Sequence, residues 1–161
     1  MKNKNMRSLT YGAMTAALYV VLTLLSQICG LASGPVQVRL SEALCALPCF
    51  FPGAAAGLTV GCFLANLLTG GLPLDAVFGS LATLLGAIGT MKLRKKRWLC
   101  LIPPVIANTL AVPLILRFAY GLSLPLWQSA LGVFAGETLS CFFAGQLLYT
   151  QAARLASHIP G

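Results

Sequence analysis

The chain has 161 residues, of which 58% are hydrophobic and only 9% charged, whereas a soluble domain of this length needs far more polar surface to face water. A spanning helix takes about 20 mostly apolar residues, which leaves room for roughly six or seven spans and little else, so residues 1–161 read as a single integral membrane domain. The net charge of +8 does not indicate nucleic acid, because the cations are not interleaved with aromatics: five lie in one block, Lys92 to Arg97, a pattern of membrane topology.

The first apolar run covers residues 9–29 and follows Lys2, Lys4 and Arg7. It resembles a signal peptide, but a clear A-x-A site is missing and the run is long, so it is read as a retained span. Gly12, Ala13, Ala16 and Ala17 make two overlapping small-xxx-small pairs, where another helix, internal or from a second subunit, can approach closely. The segment LASGPVQVRLS is too polar and too rich in Pro and Gly to continue the helix. Its VQVRL alternates like a strand, with Gln37 and Arg39 on one side, as an ordered loop or lid over the mouth of a bundle would.

Residues 41–51 are short for a span and stop at Pro52-Gly53, so this second helix is expected to tilt or to recruit part of the loop before it. Residues 54–70 form the third span, with a weakly polar stripe of Thr59, Cys62, Asn66 and Thr69. After the turn GGLPLD comes the fourth, residues 75–91, which KLRKKR ends abruptly. Residues 98–118 form the fifth, expected to bend at Pro103-Pro104 and at Pro113. The sixth covers residues 125–152. Six spans place nine of the eleven cations on one side, against Arg39 and Arg117, which predicts cytoplasmic N- and C-termini.

Only three acids occur, Glu42, Asp75 and Glu137. Glu137 falls near mid-membrane, where an ionisable side chain costs roughly 2.5–3.5 kcal/mol or more unless paired or hydrated, and such residues usually mark a substrate or ion path. The plainer reading is a protonated or hydrogen-bonded structural glutamate. Trp127 and Phe134 share a face about 60–80° from Glu137, where a planar ring can stack for about 1–3 kcal/mol. An interfacial Trp127 and a lipid-facing Phe134 are the alternative. Asp75 and Glu42 open spans four and two and can equally serve helix N-termini, and Arg39 can pair with Glu42. Asn66 needs a partner, either a ligand or another helix. The six cysteines lie in apolar runs as small hydrophobes. Cys45 and Cys49 are spaced to pair or to bind metal, yet only His158 could supply imidazole, so no metal is expected.

Three ordered blocks, QVRLSEALCALP, GLTVGCFLANLLTGG and LDAVFGSLATLLGAIG, together with the start AMTAALYVVLT, resemble the QueT family, the queuosine-precursor S components of energy-coupling factor (ECF) transporters. The resemblance implies an all-α membrane protein in the cell membrane: a multi-pass S-component bundle of six transmembrane helices with both termini cytoplasmic. It implies import of a 7-deazaguanine, expected as 7-aminomethyl-7-deazaguanine. Partners would be a transmembrane coupling subunit, faced by Ala13 and Ala17, and two cytoplasmic ATPases that use ATP, while this subunit binds no cofactor and catalyses nothing.

The resemblance puts the ligand at the outer side, held by the first loop and later helices, which maps to Gln37, Arg39, Glu42, Asn66, Asp75 and Glu137. A deazaguanine offers a carbonyl acceptor beside N–H donors and, in the aminomethyl form, a cation. Glu137 suits the guanine donors, Asp75 or Glu42 the ammonium, and Arg39 or Gln37 the carbonyl. An S component for another vitamin is the first alternative. A membrane-embedded enzyme lacks support from any clustered acidic metal site, Walker A run or intramembrane His, and a solitary secondary transporter is disfavoured by the small size and absence of a repeat.

Overall fold

The computed structural model describes residues 2–31 and 36–158. Helix α1 spans Lys2–Ile28, a 3₁₀ helix Leu40–Cys49, α2 Gly53–Leu68, α3 Pro73–Lys92 and α4 Ile102–Phe118. Helix α5 (Leu126–Glu137) continues through a π-helical segment (Thr138–Ala144) into α6 (Gly145–His158) as one rod. Among the described residues there is no strand, so the protein is all-α, with a helical rod at each expected span. Asn5–Ile28, Pro73–Lys92 and Leu126–Ser157 are long and apolar enough to cross a membrane, and the other three rods are shorter and apolar. Large apolar side chains such as Leu85, Leu110, Leu131 and Phe143 are exposed on the outer faces, as befits a protein whose solvent is hydrocarbon.

The short second helix takes Leu40 from the preceding loop and ends at Cys49. It stretches: at about 2.0 Å per residue a ten-residue 3₁₀ helix reaches roughly 20 Å, against roughly 15 Å for the same residues as α-helix. Runs of this length are uncommon. This one is enclosed by α1, α2, α3, α6 and the π segment, with Glu42, Leu44, Cys45, Ala46, Pro48 and Cys49 buried. Tyr19, Leu58, Cys62, Ala65, Leu101 and Cys141 complete the core around it.

Small residues set the distance between α1 and α2. A Cβ on Gly57 would overlap the Gly12 carbonyl, and one on Gly61 would meet Ala16 and Tyr19. One half of the small-residue pairing in the first span is therefore internal, while Ala13 and Ala17 remain exposed.

Helix α4 begins four residues later than the apolar run suggests, because residues 98–101 are turns. Pro103 and Pro104 consequently do not bend it. They occupy its first turn, where no intrahelical N–H is needed, and pack on α3 at Gly89 and Gly86, where a Cβ would collide with their rings. Of the basic block, Arg97 is structural: its guanidinium donates to Gln146 Oε1 at 3.2 Å and Thr150 Oγ1 at 2.9 Å, and Gln146 Nε2 donates to the Arg97 carbonyl at 2.9 Å.

Candidate functional site

The described part of the first loop, residues 36–39, is not a strand. Val38 N–H bonds the Leu31 carbonyl at 2.9 Å, and the Arg39 carbonyl accepts from Glu42 N–H at 3.1 Å; residues 32–35, just before VQVRL, lie outside the described residues. Gly136 on α5 brings the loop in. A side chain there would overlap the Gln37 carbonyl, so the missing Cβ lets the loop rest directly against the helix that carries Glu137.

Below the loop is a pocket of about 270 Å³, near the lower end of the ~300–1,000 Å³ range of small-molecule sites. Gln37, Arg39, Asn66 and Asp75, all expected as ligand contacts, line it, and Gln27, Thr69 and Tyr120 join them. The Tyr120 hydroxyl donates to Asp75 Oδ2 at 2.9 Å and accepts from Leu72 N–H at 3.1 Å, which fixes the carboxylate at the head of α3. Burial and then the carboxylate it bonds hold the Tyr120 hydroxyl above its ordinary pKa. Asn66 Nδ2 makes a long bond of 3.4 Å to the Asp75 carbonyl, so it tethers α2 to α3 as well as lining the pocket. Thr59 and Thr69 spend their hydroxyls on their own helix, bonding the carbonyls of Ala55 and Ala65.

Arg39 is half-buried, and among the described residues its guanidinium makes no hydrogen bond and no ion pair. The expected pair with Glu42 is not made. Burial works against the guanidinium's charge, but the acidic groups around it, Tyr19, Cys62, Glu42 and Asp75, outweigh that and hold its pKa above the ordinary arginine range. Glu137 also interacts electrostatically with Arg39, so all three acids of the chain act on the same cation.

Two carboxylates lie deeper. Glu42 is engaged on both oxygens: Tyr19 donates its hydroxyl to Oε1, and the Cys45 thiol donates to Oε2 at 3.3 Å. The start of its helix is pinned to α1 by Thr23 bonding Ser41 at 2.9 Å and by Leu40 N–H donating to Ser26 at 2.9 Å. Glu42 thus closes the floor and does not line the pocket. Glu137 is 6% exposed, and Asn108 Nδ2 donates to its Oε1 at 3.0 Å. Its Oε2 is buried with no partner among the described residues, where an unmet acceptor costs about 1–3 kcal/mol and more when charged. Asn108 stands one helical turn, about 6 Å, before the pocket-lining Val112 on the same face of α4.

Trp127 and Phe134 are not brought to the pocket. They are 67% and 50% exposed, because the inner face of α5 is made of Gly132, Val133, Gly136 and Glu137. Cys45 and Cys49 do not pair with each other either: Cys45 meets Cys141 and Cys49 meets Cys100, all as free buried thiols. Among the described residues no group of three or more His, Cys, Asp or Glu is placed to hold a metal.

Sequence reasoning missed Tyr19, Gln27, Asn108 and Tyr120. Asn108 carried the signal used for Asn66, an amide inside an apolar run. The tyrosines carried none, since an aromatic in such a run reads as core or interface.

The sequence pattern of the family described as "QueT transporter" matches residues 9–154. A protein of Lactococcus lactis subsp. cremoris (strain MG1363), "Queuosine precursor transporter QueT", is 36% identical over 72 residues, a match covering 45% of this chain and 42% of that protein. The chain thus spans less than half the length of that relative. No solved structure matches. With the pattern running from residue 9 to residue 154, the chain belongs to the QueT transporter family.

Proposed function

We propose that this chain is the substrate-binding S component of an ECF importer in the cell membrane and takes up a queuosine precursor, a 7-deazaguanine of the aminomethyl type. The observation that carries the reading is the family match over residues 9–154; the name of the lactococcal relative supports the substrate class. The polar pocket supplies chemistry suited to that ligand. Arg39, whose guanidinium has no partner among the described residues, donates to the ring carbonyl. Asp75, held by Tyr120, receives the exocyclic ammonium. Glu137 Oε2, without a partner, accepts from the guanine N–H edge once the ligand reaches down past Val112. Gln37 closes the pocket from the loop.

In this reading the termini and the basic block face the cytoplasm, and the pocket opens on the other side. The subunit binds without catalysing. Its coupling subunit lies against α1 at Ala13 and Ala17, beside a groove of about 500 Å³ lined by small residues of α1 and α2, and two ATPases supply energy through that partner. Mass spectrometry of small molecules that copurify with the detergent-solubilised protein tests the substrate. A deazaguanine is expected. Finding no purine-like compound, and no binding when 7-aminomethyl-7-deazaguanine is added, would overturn the reading. Copurification of tagged protein with a coexpressed coupling module tests the assembly, and loss of the complex on Ala17→Trp is expected.

A further inference from the structure

Between α3 and α4 runs another cavity, which meets the polar pocket at Ile115. It is a groove of about 680 Å³ whose walls are wholly apolar, from Leu74, Phe78 and Leu85 on one helix to Ala107, Ala111 and Phe118 on the other. Length and charge together indicate what covers it. The lining extends over residues 74–85 of α3 and 107–119 of α4, about 16–18 Å at 1.5 Å per residue. One leaflet of a hydrocarbon core about 30 Å thick is close to that height. The groove belongs to the half of the bundle that holds Asp75 and Tyr120, away from the basic block at Lys92 to Arg97.

The charge is Arg117. It lies in the last turn of α4, next to Phe118 at the polar end of the groove, and it is exposed. Among the described residues its guanidinium makes no hydrogen bond and no ion pair. It is one of two cations on a side that the charge distribution otherwise leaves bare, and the other, Arg39, lines the pocket. Topology gives no reason for a cation there. A second copy of this chain or an apolar partner helix would leave the guanidinium without a counter-charge. A phospholipid presents an alkyl chain and then a phosphate in the order in which the groove and Arg117 occur, and a guanidinium grips a phosphate through paired N–H bonds.

We propose that the α3–α4 groove is a specific site for an anionic phospholipid, one acyl chain lying in the groove and the phosphate on Arg117. The test is native mass spectrometry of the full chain extracted from bilayers of equal phosphatidylglycerol and phosphatidylcholine. Wild-type protein retains phosphatidylglycerol preferentially. Arg117→Gln lowers that preference about fivefold, the worth of one basic contact near an anionic surface. Ala111→Phe, or the milder Ala111→Leu if the larger ring perturbs folding, fills the groove and removes the retained lipid of either headgroup. Equal retention in wild type, Arg117→Gln and the groove-filling variants would overturn the proposal. So would a dimer that the groove-filling variants break, since the occupant would then be a second copy.

Discussion

Replacing Glu137 with glutamine separates a ligand-binding carboxylate from a structural one, because the two roles predict changes of opposite kind. The substitution keeps an oxygen for Asn108, whose bond to Oε1 is 3.0 Å, and converts the unpartnered Oε2 into an N–H donor. A guanine edge also presents donors, so the ligand would lose a hydrogen bond to a charged acceptor, worth about 1.5–3 kcal/mol. At about 1.4 kcal/mol per decade, binding weakens roughly 10- to 150-fold. The ligand-free protein, relieved of a buried carboxyl oxygen without a partner, is expected to unfold at the same temperature or higher. Isothermal titration with 7-aminomethyl-7-deazaguanine and thermal unfolding in the same detergent measure both. Unchanged affinity together with lower stability would refute the reasoning and make Glu137 a purely structural residue.

Asp75→Asn keeps the oxygen that accepts from Tyr120 but removes the charge, so affinity for the aminomethyl ligand falls about tenfold while affinity for the unsubstituted deazaguanine stays the same; competition binding with the two compounds decides it. Tyr19→Phe deprives the buried Glu42 of a donor and costs about 1–3 kcal/mol of stability, visible as a lower unfolding midpoint, with ligand affinity of the folded fraction intact because Glu42 does not line the pocket. Gly136→Ala favours the helix by roughly 0.5–1 kcal/mol, yet its methyl group displaces the loop at Gln37, so binding weakens and protease cleavage in the loop after α1 accelerates; unaltered binding would show that the loop does not shape the site. Gly57→Val drives a side chain into the Gly12 carbonyl and is expected to cost about 1–3 kcal/mol through overpacking, read as a lower unfolding temperature.

Much of the architecture was legible because bilayer thickness and backbone hydrogen bonding leave few choices. Runs of apolar residues, ended by Pro52-Gly53, GGLPLD and KLRKKR, marked six rods. The form of the second rod was not legible, since 3₁₀ and α-helix differ in how many residues they need to cover a distance, and that distance depends on the surrounding helices. The start of α4 was misplaced for a similar reason. Proline inside an apolar run predicts a bend, whereas Pro103 and Pro104 are tolerated because Gly86 and Gly89 on α3 receive them.

Scarcity made the acids stand out, and composition by itself determined that three carboxylates and a few cations must do the polar work of an apolar chain. How they divide that work was decided by tertiary structure. Periodicity fixes which side of a helix a residue takes, but not what stands opposite it. Tyr19 and Cys45 satisfy Glu42 and remove it from the pocket, Tyr120 fixes Asp75, and Asn108 leaves one oxygen of Glu137 unmet. Arg39, an alternating loop residue in the sequence, becomes a cation on which all three acids act, because the bare backbone of Gly136 lets the loop lie against α5.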